Sequence, residues 1–121
     1  MNKFGWTSIW SSDLNNLLPF YRDVVGLQVA MESEGFVVLG AANMEEPALG
    51  IGTHSEVHGR ASDPYRHMIG LTTEDIQGEC KRLKAAGVEF IEEPASDGDG
   101  MWMATFKDPE GNIVQISQGT P

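Results

Sequence analysis

The side chains that most often carry out catalysis or bind metals are few in this sequence, and their spacing favours structural roles. His54 and His58 are four residues apart, a spacing that binds metal ions when it occurs on a helix. Both lie in the polar segment 53–66, so we expect a solvated loop there. His67 is expected to enter a strand, and Cys80 lies on an apolar helix face where burial would leave its thiol inert. The sequence shows no nucleophile–histidine–carboxylate arrangement and no phosphate-binding glycine loop, so we predict no catalytic residue.

The overall composition indicates one acidic domain. The chain has 121 residues, and 40% of them are hydrophobic, which is enough to fill a core. Eight Lys and Arg residues against 18 Asp and Glu residues give a net charge of −10. This charge argues against nucleic acid and against an anionic membrane surface as partners, and it favours neutral or cationic small molecules. A single cysteine excludes an internal disulfide, and the absence of a long apolar run or signal-like start predicts a cytoplasmic protein.

Two stretches of the chain overlay with an offset of 62 residues, which predicts a duplicated fold. The first starts at Trp6 (WTSIWSSDL) and the second at Met68 (MIGLTTEDI), and each reads as a strand, a helix ended by glycine, and a strand. Further strand-like runs complete the order βαβββ twice, joined by a polar linker. We expect a single domain over residues 1–121, with a first module at about 1–53, a linker at about 54–66 and a second module at about 67–121.

Each module has one predicted helix. The first carries apolar residues from Leu14 to Val25, with Asn16 as the N-cap, so that Pro19 lies in the first turn and removes no hydrogen bond. Gly26 is expected to end this helix. The second helix has an apolar face and ends before a glycine: Ile76, Cys80, Leu83 and then Gly87.

The segment KDPEGN predicts a hairpin between the last two strands. Asp108, Pro109 and Gly111 suit the first, second and fourth positions of a type I turn. A regular hairpin would place six residues on one sheet face, and a bulge would change that register. The expected pairs are Phe106 with Ile113, Ala104 with Gln115, and Trp102 with Ser117.

The βαβββ duplication, the segment DLNNLLPFYRDVVGL and the final DPEGNIVQIS together resemble the vicinal-oxygen-chelate superfamily. That group includes glyoxalases, bleomycin-resistance proteins and extradiol dioxygenases. The resemblance covers essentially the whole chain. It implies an α+β fold in which two βαβββ modules form a curled mixed sheet around a cavity, usually in a homodimer.

Metalloenzymes of this superfamily take ligands from the first and last strands of each module, and here the residues depart from that pattern. The resemblance places the four positions at Trp6, Gly50, Met68 and Gln115. Indole offers no lone pair, glycine has no side chain and a thioether is a soft ligand, so one amide oxygen alone could coordinate. We therefore expect no metal and no other cofactor. His67 becomes the alternative metal ligand if the strand that begins at Met68 is shifted by one residue. Such a shift would turn the apolar residues of this strand away from the helix.

Strand alternation and the predicted hairpin define a cavity lining that is aromatic, with few polar groups. Such a lining suits a planar, apolar or cationic ligand held by stacking and oriented by hydrogen bonds. The alternative is that the indole rings only fill space in the core. The residues expected to bind the ligand are Trp6, Ser8, Trp10, Met68, Thr72, Trp102, Phe106 and Gln115.

Three functions are compatible with these residues. The first is a metal-free protein that sequesters a small molecule, similar to bleomycin-resistance proteins. The second is a glyoxalase-like lyase, isomerase or dioxygenase with a displaced metal site. The third is a non-catalytic partner or regulatory domain whose Trp residues are packed inside. The resemblance alone does not decide among them.

Overall fold

The computed structural model describes residues 5–43, 46–96, 98 and 100–119. The chain divides into two compact units, Met1–Gly59 and Arg60–Pro121. Each unit contains a four-stranded mixed sheet with a helical region between its first and second strands. That region is an α-helix in the second unit and a 3-10 turn followed by a π-helical segment in the first. This is the α+β class and the duplicated order that the sequence predicts. In the described part of the chain, no helix has the length and apolar character needed to cross a membrane.

The first sheet has the strand order β1-β4-β3-β2, with β1 parallel to β4 and the other neighbours antiparallel. The second sheet repeats this arrangement in the order β5-β8-β7-β6. The elements of the first unit are β1 (Trp6–Ser11), a 3-10 turn (Leu14–Asn16), a π-helical segment (Phe20–Val25), β2 (Val29–Ser33), β3 (Phe36–Leu39) and β4 (Ala48–Thr53). Those of the second are a 3-10 turn (Pro64–Arg66), β5 (Met68–Thr72), α1 (Ile76–Ala85), β6 (Phe90–Ser96), β7 (Trp102–Lys107) and β8 (Ile113–Gln118).

The helical region of the first unit begins differently from the prediction. Asp13 is the residue that caps the first turn, because its carboxylate accepts the N–H of Asn15 at 3.0 Å. Asn16, the predicted cap, is instead the last residue of that 3-10 turn. The π-helical segment follows directly after Pro19 and ends, as predicted, at Gly26, whose φ of 91° is in the left-handed region.

Each sheet packs one face against its own helical region. In the first unit, Ile9, Ile51 and Val37 are register partners across three strands, and all three are buried. The N–H of Leu14 donates to Thr53 Oγ1 at 2.9 Å, which fixes the 3-10 turn on this side of the sheet. In the second unit, the apolar face of α1 is buried as predicted, at Ile76, Cys80 and Leu83.

The C-terminal hairpin is shifted by one residue from the predicted pairing. Asp108 donates its N–H to the C=O of Asn112 at 2.9 Å, so the loop contains three residues instead of two. Gly111 supplies the extra residue with a φ of 86°. A type I turn alone would splay the two strands, and a left-handed glycine placed after it restores their twist by forming a bulge. The observed pairs are Trp102 with Gln118, Ala104 with Ile116, and Phe106 with Val114.

The bulge is stabilised by the buried carboxylate of Asp108, which is 3% exposed. Its Oδ1 accepts the N–H groups of Glu110 and Asn112, both at 2.9 Å. Its Oδ2 accepts from the side-chain amide of Asn112 at 2.7 Å. The N–H groups that the turn leaves unpaired therefore find an acceptor within the turn.

Candidate functional site

The first sheet carries exposed aromatic residues on the side opposite its helical region. Trp6, Ser8 and Trp10 share this side, as predicted, while Ile9 lies on the buried side. Trp6 is 58% exposed and Trp10 is 41% exposed. We call this side the aromatic face, and its members by register are Trp6, Ser8 and Trp10 of β1, Met31 and Ser33 of β2, Phe36 and Val38 of β3, and Ala48, Gly50 and Gly52 of β4.

Two glycines on the central strand β4 allow aromatic rings from both neighbouring strands to lie over it. Gly52 pairs with Trp10 on one side and with Phe36 on the other. A Cβ atom on Gly52 would meet Trp10 Cζ3 at 2.5 Å and Phe36 Cδ1 at 2.8 Å, so the rings occupy that space. The ring centroids of Trp10 and Phe36 are 5.5 Å apart, with an angle of 31° between the planes. The two rings therefore form one continuous aromatic surface above Gly52.

His54 extends this aromatic surface at the end of β4. Its ring lies edge-on to Trp10, with centroids 5.5 Å apart and an interplanar angle of 74°. His54 Nδ1 accepts the N–H of Glu56 at 3.0 Å, so the proton of the neutral ring is on Nε2. His54 and His58 are both exposed loop residues, as predicted, but the contact of His54 with Trp10 was not predicted.

Phe36 is a further residue that the sequence reasoning missed. The signal for it lies in the run ALGIGT, because glycines two residues apart remove every side chain from one face of that part of the strand. Large residues on the neighbouring strands must then cover the gap.

The second sheet presents a corresponding side with different chemistry. Met68, Gly70 and Thr72 of β5 share it with Gln115 and Ser117 of β8, as the predicted β5 register requires. The Ser117 hydroxyl donates to the C=O of Leu71 at 3.5 Å. We call this side the polar face, and its members by register are Met68, Gly70, Thr72, Glu92, Ala95, Met103, Thr105, Lys107, Ile113, Gln115 and Ser117.

The hairpin shift changes the position of two predicted ligand-binding residues. Trp102 and Phe106 pair with Gln118 and Val114, so they lie on the side of the sheet opposite to Gln115. Phe106 is fully buried and its ring is 5.4 Å from that of Phe90. The prediction that these residues share a face with Gln115 is wrong, because Gly111 adds one residue to the loop and thereby reverses the alternation of β7 relative to β8.

The first and last strands pair in the same register in both modules. Ser8 pairs with Gly50 in the first sheet, and Gly70 pairs with Gln115 in the second. Ser8 and Gly70 are the residues that the 62-residue offset overlays. Gly50 and Gln115 are therefore equivalent positions in the last strands, in agreement with the positions that the resemblance assigns.

The residues at the four positions that the resemblance assigns to metal ligands offer few donor atoms for a divalent ion. Trp6 and Met68 offer an indole and a thioether, and Gly50 has no side chain. The space above Gly50 is taken by Phe36, because a Cβ there would lie 2.5 Å from Phe36 Cζ. Gln115 alone has an oxygen donor, and one neutral oxygen is too few for such an ion. Among the described residues, no three His, Cys, Asp or Glu side chains are grouped so that they could hold a metal ion.

The two remaining candidates for reactive groups, His67 and Cys80, lie outside the polar face of their own unit. His67 is exposed and precedes β5 in extended conformation, so alternation directs it to the side opposite Met68. Cys80 is buried as predicted, with 2% of its surface exposed. Burial raises the pKa of the Cys80 thiol, and the nearby Glu93 raises it further, so little thiolate forms at neutral pH.

Comparison with known proteins agrees with this architecture. The sequence profile of the Glyoxalase/Bleomycin resistance protein/Dioxygenase superfamily matches residues 3–116. The chain belongs to this superfamily.

Individual relatives are distant but cover nearly the full chain. The uncharacterized protein YetH of Bacillus subtilis is 25% identical over 98% of this chain and 99% of its own length. A probable lactoylglutathione lyase of Synechocystis is 25% identical over 93% of this chain and 92% of its own length. The crystal structure of TnmS3, an antibiotic binding protein from Streptomyces, is 22% identical and covers 99% of this chain and 98% of that protein, with a TM-score of 0.75.

Proposed function

We propose that this protein is a metal-free member of the superfamily that binds a small, planar ligand by stacking on its aromatic face. The observation that carries the proposal is the pair of indole rings, Trp6 and Trp10, exposed on one sheet face where metalloenzymes of the superfamily would need a ligand set. Exposed indole rings cost free energy in water, and they gain it when a flat apolar molecule covers them. Binding by stacking needs no catalytic group.

The charge and the relatives support the same proposal. The net charge of −10 favours neutral and cationic ligands over anionic ones. The fold is shared with TnmS3, which is described as an antibiotic binding protein, so ligand binding is compatible with this architecture. Within the second unit, the polar face offers Gln115, Thr72 and Ser117 as hydrogen-bonding groups and Met68 as an apolar contact, and we propose it as a separate surface for a ligand with polar groups.

Tryptophan fluorescence of the unaltered protein and of two variants tests the proposal. Trp102→Phe keeps both indole rings of the aromatic face as reporters, and a variant with Trp6→Phe and Trp10→Phe keeps Trp102 alone. Phenazine serves as a planar neutral probe and N-methylphenazinium as a planar cation. We expect saturable quenching with a similar Kd in the unaltered protein and in Trp102→Phe, and weaker binding by the variant that lacks Trp6 and Trp10. Quenching that Trp102→Phe abolishes, or none that saturates, would refute the proposal.

A lyase activity is the second candidate, because two relatives at 25% identity are described as probable lactoylglutathione lyases. The donor set at Trp6, Gly50, Met68 and Gln115 argues against a metal-dependent form of that reaction. The test is the metal content of protein prepared without chelator, together with turnover of the hemithioacetal of methylglyoxal and glutathione. One bound metal per chain and turnover lost on chelation would favour the lyase.

We also propose a homodimer. Strands β1 and β2 are at the edges of the first sheet and β5 and β6 at those of the second, and an unpaired strand edge favours pairing or coverage by another chain. Light scattering at micromolar concentration measures the mass directly. A single-chain mass would count against the dimer without affecting the ligand proposal.

A further inference from the structure

The ring of Phe36 lies where a side chain at position 50 would be. A Cβ on Gly50 would meet Phe36 Cζ at 2.5 Å, Phe36 Cε1 at 3.0 Å and Ser8 Oγ at 3.1 Å. Position 50 is the first-module equivalent of Gln115, a position that supplies a metal ligand in metalloenzymes of the superfamily. A glutamate or histidine at this position could coexist with Phe36 only if the ring moved away.

The same ring also reaches the next glycine on β4. Phe36 Cδ1 would lie 2.8 Å from a Cβ on Gly52, where Trp10 approaches from the other neighbouring strand. Strands in a sheet are about 4.8 Å apart, so residues on the two flanking strands have Cα atoms roughly 10 Å apart. The ring centroids of Trp10 and Phe36 are only 5.5 Å apart, so both rings lean inward over the glycine strand. A larger residue at either glycine would prevent this arrangement.

We propose that Phe36 is a ligand-contacting residue that determines specificity, and that it forms with Trp10 a platform for a fused, planar aromatic molecule. This inference rests on the proposed function and deepens it, because it names the ligand class and a residue that contacts it. Two rings side by side cover an area that matches two or three fused rings rather than a compact cation.

The charge of the ligand contributes less than its shape on this face. None of the described residues that make up the aromatic face, including Met31 and Ser33 of β2, is an aspartate or glutamate, so a cation has no counter-charge there. At near-physiological salt (about 0.15 M) the distant acidic surface is largely screened. Phenazine and N-methylphenazinium are therefore expected to bind with affinities within about threefold of each other. The non-planar cation tetraethylammonium should bind at least about tenfold more weakly, because it cannot stack flat on the rings.

Three variants test the role of Phe36 by equilibrium dialysis against phenazine. Phe36→Leu keeps an apolar side chain but removes the ring, and we expect binding about 3- to 10-fold weaker. Gly50→Ala keeps the ring but forces it from its place, and a similar loss is expected. Gly5→Ala is the control, because a Cβ at Gly5 meets no atom within 4 Å. Its affinity should stay within about twofold of the unaltered protein.

The combination of Phe36→Leu with Gly50→Ala distinguishes this mechanism from general damage to the sheet. Leucine lacks the Cζ and Cε1 atoms that approach position 50, so the two shortest contacts of the alanine methyl group are removed. Only the contact with Ser8 Oγ at 3.1 Å remains, and a small rotation of that hydroxyl relieves it. The combined variant should bind no more weakly than Phe36→Leu alone. Additive losses would indicate that Gly50 acts independently of the ring, and they would overturn the inference.

The outcomes separate this inference from the proposed function. Saturable phenazine binding that Phe36→Leu and Gly50→Ala leave unchanged would overturn the role of Phe36 and leave the proposed function standing. Tetraethylammonium binding as strongly as phenazine would overturn the ligand class. Failure of both planar probes to bind the unaltered protein would overturn both proposals. Circular dichroism of each variant checks that it is folded, so that a loss of binding reports on the platform.

Discussion

Replacement of Trp6 by alanine should weaken binding of a planar ligand by an amount that the structure allows us to estimate. A large aromatic side chain has roughly 150–250 Å² of surface, and 58% of Trp6 is exposed, which leaves about 90–145 Å² for a ligand to cover. A flat ligand stacks on one of the two ring faces and covers about half of that area, roughly 45–70 Å². At about 25 cal/mol per Å² the loss is about 1–2 kcal/mol, or roughly a 6- to 20-fold increase in Kd.

The assay is equilibrium dialysis of phenazine against the unaltered protein, Trp6→Ala and Trp102→Phe. Trp6 is mostly exposed, so its replacement should change the free energy of unfolding by less than about 0.5 kcal/mol. A loss of affinity in Trp6→Ala would then report on the contact itself. Trp102→Phe is the matched control, because the observed hairpin register places Trp102 on the other side of its sheet from Gln115.

Two results would refute this reasoning. If Trp6→Ala binds phenazine as tightly as the unaltered protein, the exposed indole is not part of the binding surface. If Trp102→Phe loses as much affinity as Trp6→Ala, the ligand contacts the helix side of the second sheet, and the aromatic face is the wrong site.

Three further measurements examine other parts of the structure. Gly111→Ala should lower the free energy of unfolding, measured in urea, by roughly 1–2 kcal/mol. Residue 111 has a φ of 86°, and a Cβ there would lie 3.0 Å from the Arg60 guanidinium. An unchanged free energy of unfolding would contradict the bulge. Cys80 should react with dithiobis(nitrobenzoate) slowly in the native protein and rapidly in urea. Because its pKa is raised, less thiolate is present at each pH, and the native reaction rate should rise only at a higher pH than for an ordinary thiol. Addition of one equivalent of Zn²⁺, Mn²⁺, Ni²⁺ or Fe²⁺ should leave the Tm unchanged, whereas a clear rise with any of them would show a binding site that the residues at the four superfamily positions do not explain.

The arrangement of strands was predictable because the sequence repeats its own pattern. The offset that overlays Trp6 on Met68 also overlays their strand registers, since Ser8 pairs with Gly50 and Gly70 with Gln115. Because side chains alternate between the two sides of a strand, the sequence also indicates which residues of β1 and of β5 lie on the side opposite the helical region. These are properties of backbone geometry and hydrophobic pattern, and both can be read from a single chain.

The hairpin register was not predictable from the turn residues alone. Asp108, Pro109 and Gly111 suit a two-residue type I loop and a three-residue loop with a bulge equally well. The difference depends on the conformation of Gly111, which follows from the twist that the flanking strands impose. One residue of difference moves Trp102 and Phe106 to the other side of the sheet, so a small local ambiguity decides which aromatic residues belong to the site.

The duplication also explains how one fold can provide two different surfaces. At equivalent positions of the last strands, the first module has Gly50 and the second has Gln115. The glycine leaves space that Phe36 fills, which makes that face aromatic and closes it to a coordinating side chain. The glutamine keeps a hydrogen-bonding group on its face, next to Gly70, where a Cβ would meet no atom within 4 Å. The residue at this one position, in β4 or in β8, therefore decides whether side chains of the neighbouring strands can lie over it. The two faces differ in chemistry although the strand pairing at this position is the same in both sheets.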